Sequence, residues 1–255
     1  MDNISKGTKI NHLISNWPRG TLKTVSELER LGFTPQLLKV YANSNWIELV
    51  GRGVYKLYND EVGWQGALFA LQRKSEKTRI HAGAKTALTL RGYGHYLRQH
   101  ENKVYLFSNR NENTHVWLKK FEQVVQTKTE VFDYSKEDYI TLFNNGNFYI
   151  GISSTELAAM EMLYLIPREQ SFDEAIKIME GLVTLRPKLV QQLLEECKSI
   201  KVKRLFLFMA ERNDLPCFKE LDFVRINLGS GKRSIVQNGV LDKTHNITVP
   251  REYGG

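Results

Sequence analysis

Ile10, Leu13, Ile14 and Trp17 recur at the three- and four-residue spacing of one helical face, and Pro18 and Gly20 stop the run. A second run opens with Thr24 and Glu27, the S/T-x-x-E spacing of a capping box in which each side chain satisfies a free backbone N–H at the helix start. Val25, Leu28 and Leu31 form its apolar stripe, and Gly32 ends it. Thr34 and Pro35 then read as the N-cap and first residue of a third helix, "PQLLKVYANS", with Leu38 and Tyr41 turned inward. Two alternating runs follow, Trp46 to Val50 and Val54 to Tyr58, joined by Gly51-Arg52-Gly53, whose glycines are expected to supply the positive φ of a tight hairpin.

Helix, helix, short glycine-containing turn, helix and two-stranded ribbon is the order of a winged helix, whose last helix enters the DNA major groove while the ribbon tip meets the backbone or minor groove. Gln36, Lys39, Val40 and Asn43 fall on the side of the third helix away from Leu38 and Tyr41. Gln and Asn can pair bidentately with adenine, and Lys can serve a guanine edge or a phosphate.

Two further helices, "DEVGWQGALFALQRKS" and "AGAKTALTLRGYG", carry Arg73, Lys74, Lys77, Arg79, Lys85 and Arg91, expected on their outer faces. Beyond Gly92 the texture changes. "KVYLFS" (103–108), "TEVFDY" (129–134) and "FYIGIS" (148–153) read as strands. Ser153 with Glu156 and Ser171 with Glu174 repeat the capping-box spacing. "RPKLVQQLLEECKSI" and "VKRLFLFMAERN" read as helices, and "FVRINLG", "SIVQNG" and "HNITVP" as short closing strands or edge segments. The expected fold class is α+β: an N-terminal winged helix-turn-helix domain, residues 1–92, and a C-terminal mixed α+β domain, residues 93–255.

Charge sharpens this division. Residues 1–100 hold 15 Lys and Arg against 7 Asp and Glu, whereas residues 101–255 hold 21 of each, so the whole net charge of +8 lies on the part that carries the winged-helix pattern. A polyanion suits that part. No apolar run approaches the length of a membrane span and the first residues lack a signal-peptide block, which makes the cytoplasm the expected compartment.

Catalytic patterns are sparse. "GSGKRS" (229–234) has Ile226 and Arg233 where a phosphate loop needs glycine and a hydroxyl, so it reads as a hairpin turn. Glu196 and Lys198 match the E-x-K half of a nuclease motif but lie on an amphipathic pattern; Cys197, on its apolar stripe, reads as a buried thiol. The six histidines show no paired-ligand spacing. The expectation is a non-enzyme without cofactor or metal.

"SNWIELVGRGVYKL", "GWQGALFALQ", "IHAGAKTALTLRGYGHYL" and "SGKRSIVQNGVLDKTHNITVP", in this order, span nearly the whole chain, and the sequence resembles the AbiE-type antitoxins of bacterial abortive-infection, type IV toxin–antitoxin systems. The resemblance implies a winged helix that binds inverted repeats in its own promoter, autorepression of a two-gene operon and a role in phage defence. It also implies a C-terminal domain needed to neutralise a toxin of nucleotidyltransferase fold. Carried over by position, the DNA-contacting residues are Thr34, Gln36, Lys39 and Asn43 on the third helix and Arg52 and Lys56 on the wing, with Leu38, Tyr41, Trp46 and Tyr55 in the core. Two other readings stay open: a metal-dependent nuclease using Glu196 and Lys198, and a stand-alone transcription factor whose C-terminal domain senses a small ligand.

Overall fold

The computed structural model describes residues 6–74, 78–94, 103–113, 115–121 and 123–254. Helix α1 (Lys6–Ser15) leads to a two-residue strand β1 (Lys23–Thr24), helices α2 (Val25–Arg30) and α3 (Pro35–Asn43), and the hairpin β2 (Ile47–Gly51) and β3 (Val54–Leu57). The strands form an antiparallel sheet in the order β1-β3-β2, which is the connectivity of a winged helix. Ile10, Leu13, Trp17, Leu28, Phe33, Leu38, Tyr41, Ile47 and Leu57 are buried together in one core, with Tyr55 packed at their edge.

Both N-cap hydroxyls act as expected. Thr24 Oγ1 accepts from Glu27 N and Thr34 Oγ1 from Leu37 N. Glu27, however, does not complete a capping box. Thr24 lies in a strand paired with Val54, and the Glu27 carboxylate instead holds the buried Lys23 ammonium at 2.6 Å. Leu31 sits past the end of α2 and is exposed, as is Trp46. Strand alternation explains the second: Ile47 takes the inward position, so Trp46 faces out, its carbonyl accepting from Tyr58 N.

The rest of the chain builds a larger α+β layer structure. In chain order come α4 (Trp64–Gln72), β4 (His81–Ala82), α5 (Ala84–Leu90), β5 (Val104–Ser108), β6 (Val124–Lys128), β7 (Ile140–Asn144) and β8 (Tyr149–Ser153). Then follow α6 (Thr155–Leu165), α7 (Phe172–Glu180), α8 (Pro187–Glu196), α9 (Ile200–Arg212), β9 (Arg233–Ser234), β10 (Val240–Asp242) and β11 (Ile247–Val249). The main sheet has the order β6-β5-β4-β8-β7, with β4/β8 and β5/β6 parallel and the outer β7/β8 pair antiparallel. α6 is buried along nearly its whole length, and β9–β11 form a small separate sheet.

Several sequence expectations change here. Residues 129–134 are not a strand. The strand lies earlier, at β6, while Phe132 and Tyr134 still deliver their rings to the core. The N-cap of α6 is Ser154, not Ser153; Ser153 is fully buried and donates to Glu161. "RPKLVQQLLEECKSI" breaks at Cys197, whose extended backbone ends α8 before α9 begins. Phe223–Arg225 is a 3-10 turn rather than a strand. α4, β4 and α5 share the second core, with β4 in the middle of its sheet, so packing runs across residue 92. Lys85 is buried, not on an outer face: α5 lies against α6, and Lys85 reaches Glu174 at 3.1 Å. Arg91 donates to Ser153 O and Thr141, and Lys77 lies outside the described residues.

Lys201, at the start of α9, donates to the carbonyls of Tyr164 (2.7 Å) and Ile166 (2.5 Å). Burial, with repulsion from Arg168, pulls its ammonium from the usual 10.5 down to about 8. Since the folded value lies below the unfolded one, the unfolded chain holds the extra proton between them, and stability contributed at this site rises as pH climbs from about 8 toward 10.5. The difference in urea midpoint between the wild type and Lys201→Met is therefore expected to grow across that window. A pH-independent difference would assign Lys201 a purely hydrogen-bonding role.

Candidate nucleic-acid interface

α3 presents Gln36, Lys39, Val40 and Asn43 to solvent on one face while Leu38 and Tyr41 anchor the opposite one. The helical period does this: positions 36, 39, 40 and 43 are one turn apart, and the apolar pair sits between them on the far side. Thr34 is also exposed, but its hydroxyl is committed to capping the helix. Four of the six expected contact residues, Gln36, Lys39, Asn43 and Arg52, have exposed side chains that no cap claims.

Lys56, the other expected wing contact, has protein partners of its own. It lies directly opposite Glu48 across the hairpin, 3.1 Å from its carboxylate, and also donates to Asp60 O at 3.0 Å. Its side chain is only 21% exposed, so it ties the base of the wing together.

The two glycines of the hairpin have different reasons to be there. Gly51 pairs with Val54, which leaves Arg52 and Gly53 as a two-residue connection. Gly53 carries the positive φ, +73°, and its carbonyl accepts from Val25 N, fixing the tip to the start of α2. Gly51 does not need a left-handed backbone. Its side-chain position is taken by the second unit: a Cβ there would lie 2.7 Å from Cβ of Trp117, on the 3-10 turn Val116–Lys120. Trp117 is buried in the second core, and Val50 packs against the same core. Local sequence gives no sign of this contact, because Trp117 is far along the chain from the wing. Gly51→Ala should cost about 1–3 kcal/mol through that overlap, read as a lower urea midpoint. Combining it with Trp117→Gly, which removes the overlapping Cβ, should recover part of the loss, and purely additive costs would show that the glycine serves another purpose.

The catalytic candidates lie apart from this face and are put to other uses. Glu196 is the last residue of helix α8, not on a strand; it accepts from Tyr139 Oη at 2.8 Å, while Lys198 is in the following loop with its N–H on Val131 O. The strand-borne acid and lysine of a nuclease are not formed. Burial pushes the Cys197 and Cys217 thiols up to about 11, away from nucleophilic use. Among the described residues no group of three or more His, Cys, Asp or Glu side chains is placed to hold a metal ion. The 228–231 loop is closed by the buried Arg204, which donates to the carbonyls of Leu228, Gly229, Gly231 and Asn246 at 2.6–3.0 Å. Its carbonyls point inward at a cation, the reverse of a phosphate cradle.

Two family models cover almost the whole chain. One, described as the N-terminal domain of the AbiEi antitoxin transcriptional regulator, matches residues 6–99, and the other, described as a transcriptional regulator, AbiEi antitoxin of a type IV TA system, matches residues 101–250. The chain belongs to the AbiEi antitoxin family. Its fold is similar to the crystal structure of the RV2827C protein from Mycobacterium tuberculosis, with a TM-score of 0.64 at 11% identity over 94% of this chain and 89% of that one. No curated protein matches the sequence. This AbiEi family member thus carries a transcriptional-regulator framework, and among its described residues no helix is long and apolar enough to cross a membrane.

Proposed function

We propose that this chain is an autorepressor and antitoxin that works in the cytoplasm. It binds inverted repeats in the promoter of its own two-gene operon and neutralises the operon's second product, a toxin of nucleotidyltransferase fold. In this reading the base-reading surface lies within residues 1–92 and the toxin-neutralising function within residues 93–255, in the service of phage defence. The observation that carries the DNA half is the exposed polar face of α3, Gln36, Lys39 and Asn43, together with an exposed Arg52 at the tip of the wing. Membership of the AbiEi family supports the antitoxin half.

With about four to six phosphate contacts, the affinity for promoter DNA should fall with salt at a log–log slope of roughly −4 to −5. A gel shift on the upstream region that gives no salt-sensitive complex would overturn the DNA half. The antitoxin half fails if co-expression does not relieve growth arrest caused by the neighbouring gene's product.

A further inference from the structure

Leu31 is apolar yet 55% exposed. Gly32, at φ +85°, turns the chain just after α2, so that Phe33 returns to the first core and Leu31 is left at the surface. Both residues line a cavity of about 460 Å³ between α1, α2 and the end of α4, a size usual for small-molecule sites. Leu13 adds a third apolar wall. α1 and α2 contribute to the first core and α4 to the second, so the cavity lies where the two meet. Its polar lining is uneven. Glu27 is the one acid lining it among the described residues, against Lys23, Arg30 and Arg73. The Glu27 residue is more than nine-tenths buried; its Oε1 holds the Lys23 ammonium at 2.6 Å and lies 3.6 Å from Arg73 Nε. Oε2 is also buried, and no donor among the described residues bonds to it. A buried carboxylate oxygen without a hydrogen bond is costly and calls for a partner. Gln72, which also lines the cavity, is not that partner: its amide is spent on Ile80 O and on both backbone groups of Gly151.

The Lys23–Glu27 pair cancels in charge, which leaves the exposed Arg30 and Arg73 as a positive rim. Arg30 Nη2 donates to Arg73 O at 3.2 Å, tying the two together. The cavity therefore offers an acceptor for an N–H in its buried part, apolar walls, and two guanidiniums at its edge. An anion that carries a flat ring with an amino group meets all three demands. The amino N–H donates to Glu27 Oε2, as nucleobase amino groups do to carboxylates. The ring lies along Leu13, Leu31 and Phe33, and a phosphate takes the guanidinium forks. We propose that this cavity is a binding site for a mononucleotide with an amino-bearing base, held between the winged helix and the second unit. None of Gln36, Lys39, Asn43 and Arg52 lines it, so the site is separate from the DNA face and does not rest on the repressor reading.

The test is calorimetric titration of the full chain, free of DNA, with four probes: adenosine monophosphate, the amine-free purine riboside monophosphate, adenosine and inorganic phosphate. Adenosine monophosphate should bind with a Kd of roughly 10–100 μM. Loss of the amine should weaken binding by roughly tenfold or more, because a hydrogen bond to a charged group goes with it. Loss of the phosphate should cost about tenfold as well. Glu27→Gln should bind the two nucleotides equally: its amide oxygen stays with Lys23, which turns its NH₂ toward the ligand amine. Arg30→Ala/Arg73→Ala, at exposed positions, should bind adenosine monophosphate only as well as the wild type binds adenosine. Lys39→Ala/Arg52→Ala, on the DNA face, should bind it like the wild type, and a loss there would move the site to α3 and the wing. In the wild type, equal binding of the two nucleotides, phosphate as tight as the nucleotide, or no binding up to about 1 mM overturns the site. Those three readings need no variant to fold, and a gel shift on the upstream DNA decides the repressor reading independently of them.

Discussion

Replacing Gln36, Lys39 and Asn43 together by alanine should lower affinity for the upstream DNA by at least about a hundredfold, most of it as reduced discrimination. Each side chain stands on the solvent face of α3, and a good bidentate base contact is worth roughly 1–3 kcal/mol of discrimination. Two such contacts plus a lysine at a guanine edge or phosphate give at least about 3 kcal/mol together, allowing for non-additivity. Binding to unrelated duplex should fall much less, because Arg52 is untouched and phosphate attraction does not depend on sequence. Stability should hold within about 0.5 kcal/mol, since exposed helix positions tolerate alanine well. Anisotropy on both duplexes, with urea unfolding as the control, reads all three quantities. Unchanged preference for upstream DNA would remove α3 from the recognition role.

The largest loss of stability is expected at Arg204→Met. The guanidinium is buried and donates four hydrogen bonds to carbonyls of the 228–231 loop and of Asn246. Burial holds its pKa below the usual arginine value, but the four acceptors leave the charge well satisfied. Methionine keeps much of the volume and none of the donors, so up to four carbonyls lose their partner at once. A cost of about 3–5 kcal/mol follows from unsatisfied acceptors at roughly 1–3 kcal/mol each, some of which water can reach. Hydrogen exchange should show the loss concentrated in the 228–249 segment, where β9 and β11 pair in parallel beside the loop. A midpoint change below about 1 kcal/mol would mean that the loop is held by its own turns.

α3 is legible in the sequence because every signal for it is local: Thr34 caps, Pro35 starts, Leu38 and Tyr41 define the inner face, and the outer face follows by period. The wing is legible for the same reason, and its glycine pair marks the turn, though only Gly53 has the backbone that marking implies. Arg204 looks like one more charge on an amphipathic helix, because its partners are carbonyls in a loop that a residue-type pattern does not display. Lys85 misleads on similar grounds: its acid, Glu174, comes from α7, and only the tertiary fold brings the two together. Lys56 shows the same across a single hairpin, where the facing Glu48 pairs with it at 3.1 Å. β4 has no sequence signature, since two residues are too few to show a period and its place in the sheet depends on β5 and β8 on either side.

The close fit between Gly51 and Trp117 leaves no slack between wing and body. Two packed groups with clearance can move separately, but here any push of the 116–120 turn toward the wing arrives at the Arg52 peptide with little attenuation. The hairpin is then less a flexible arm than a pointer bolted to the second unit: the position of the body and the aim of the tip are a single mechanical variable, and the missing methyl at residue 51 is what makes them one.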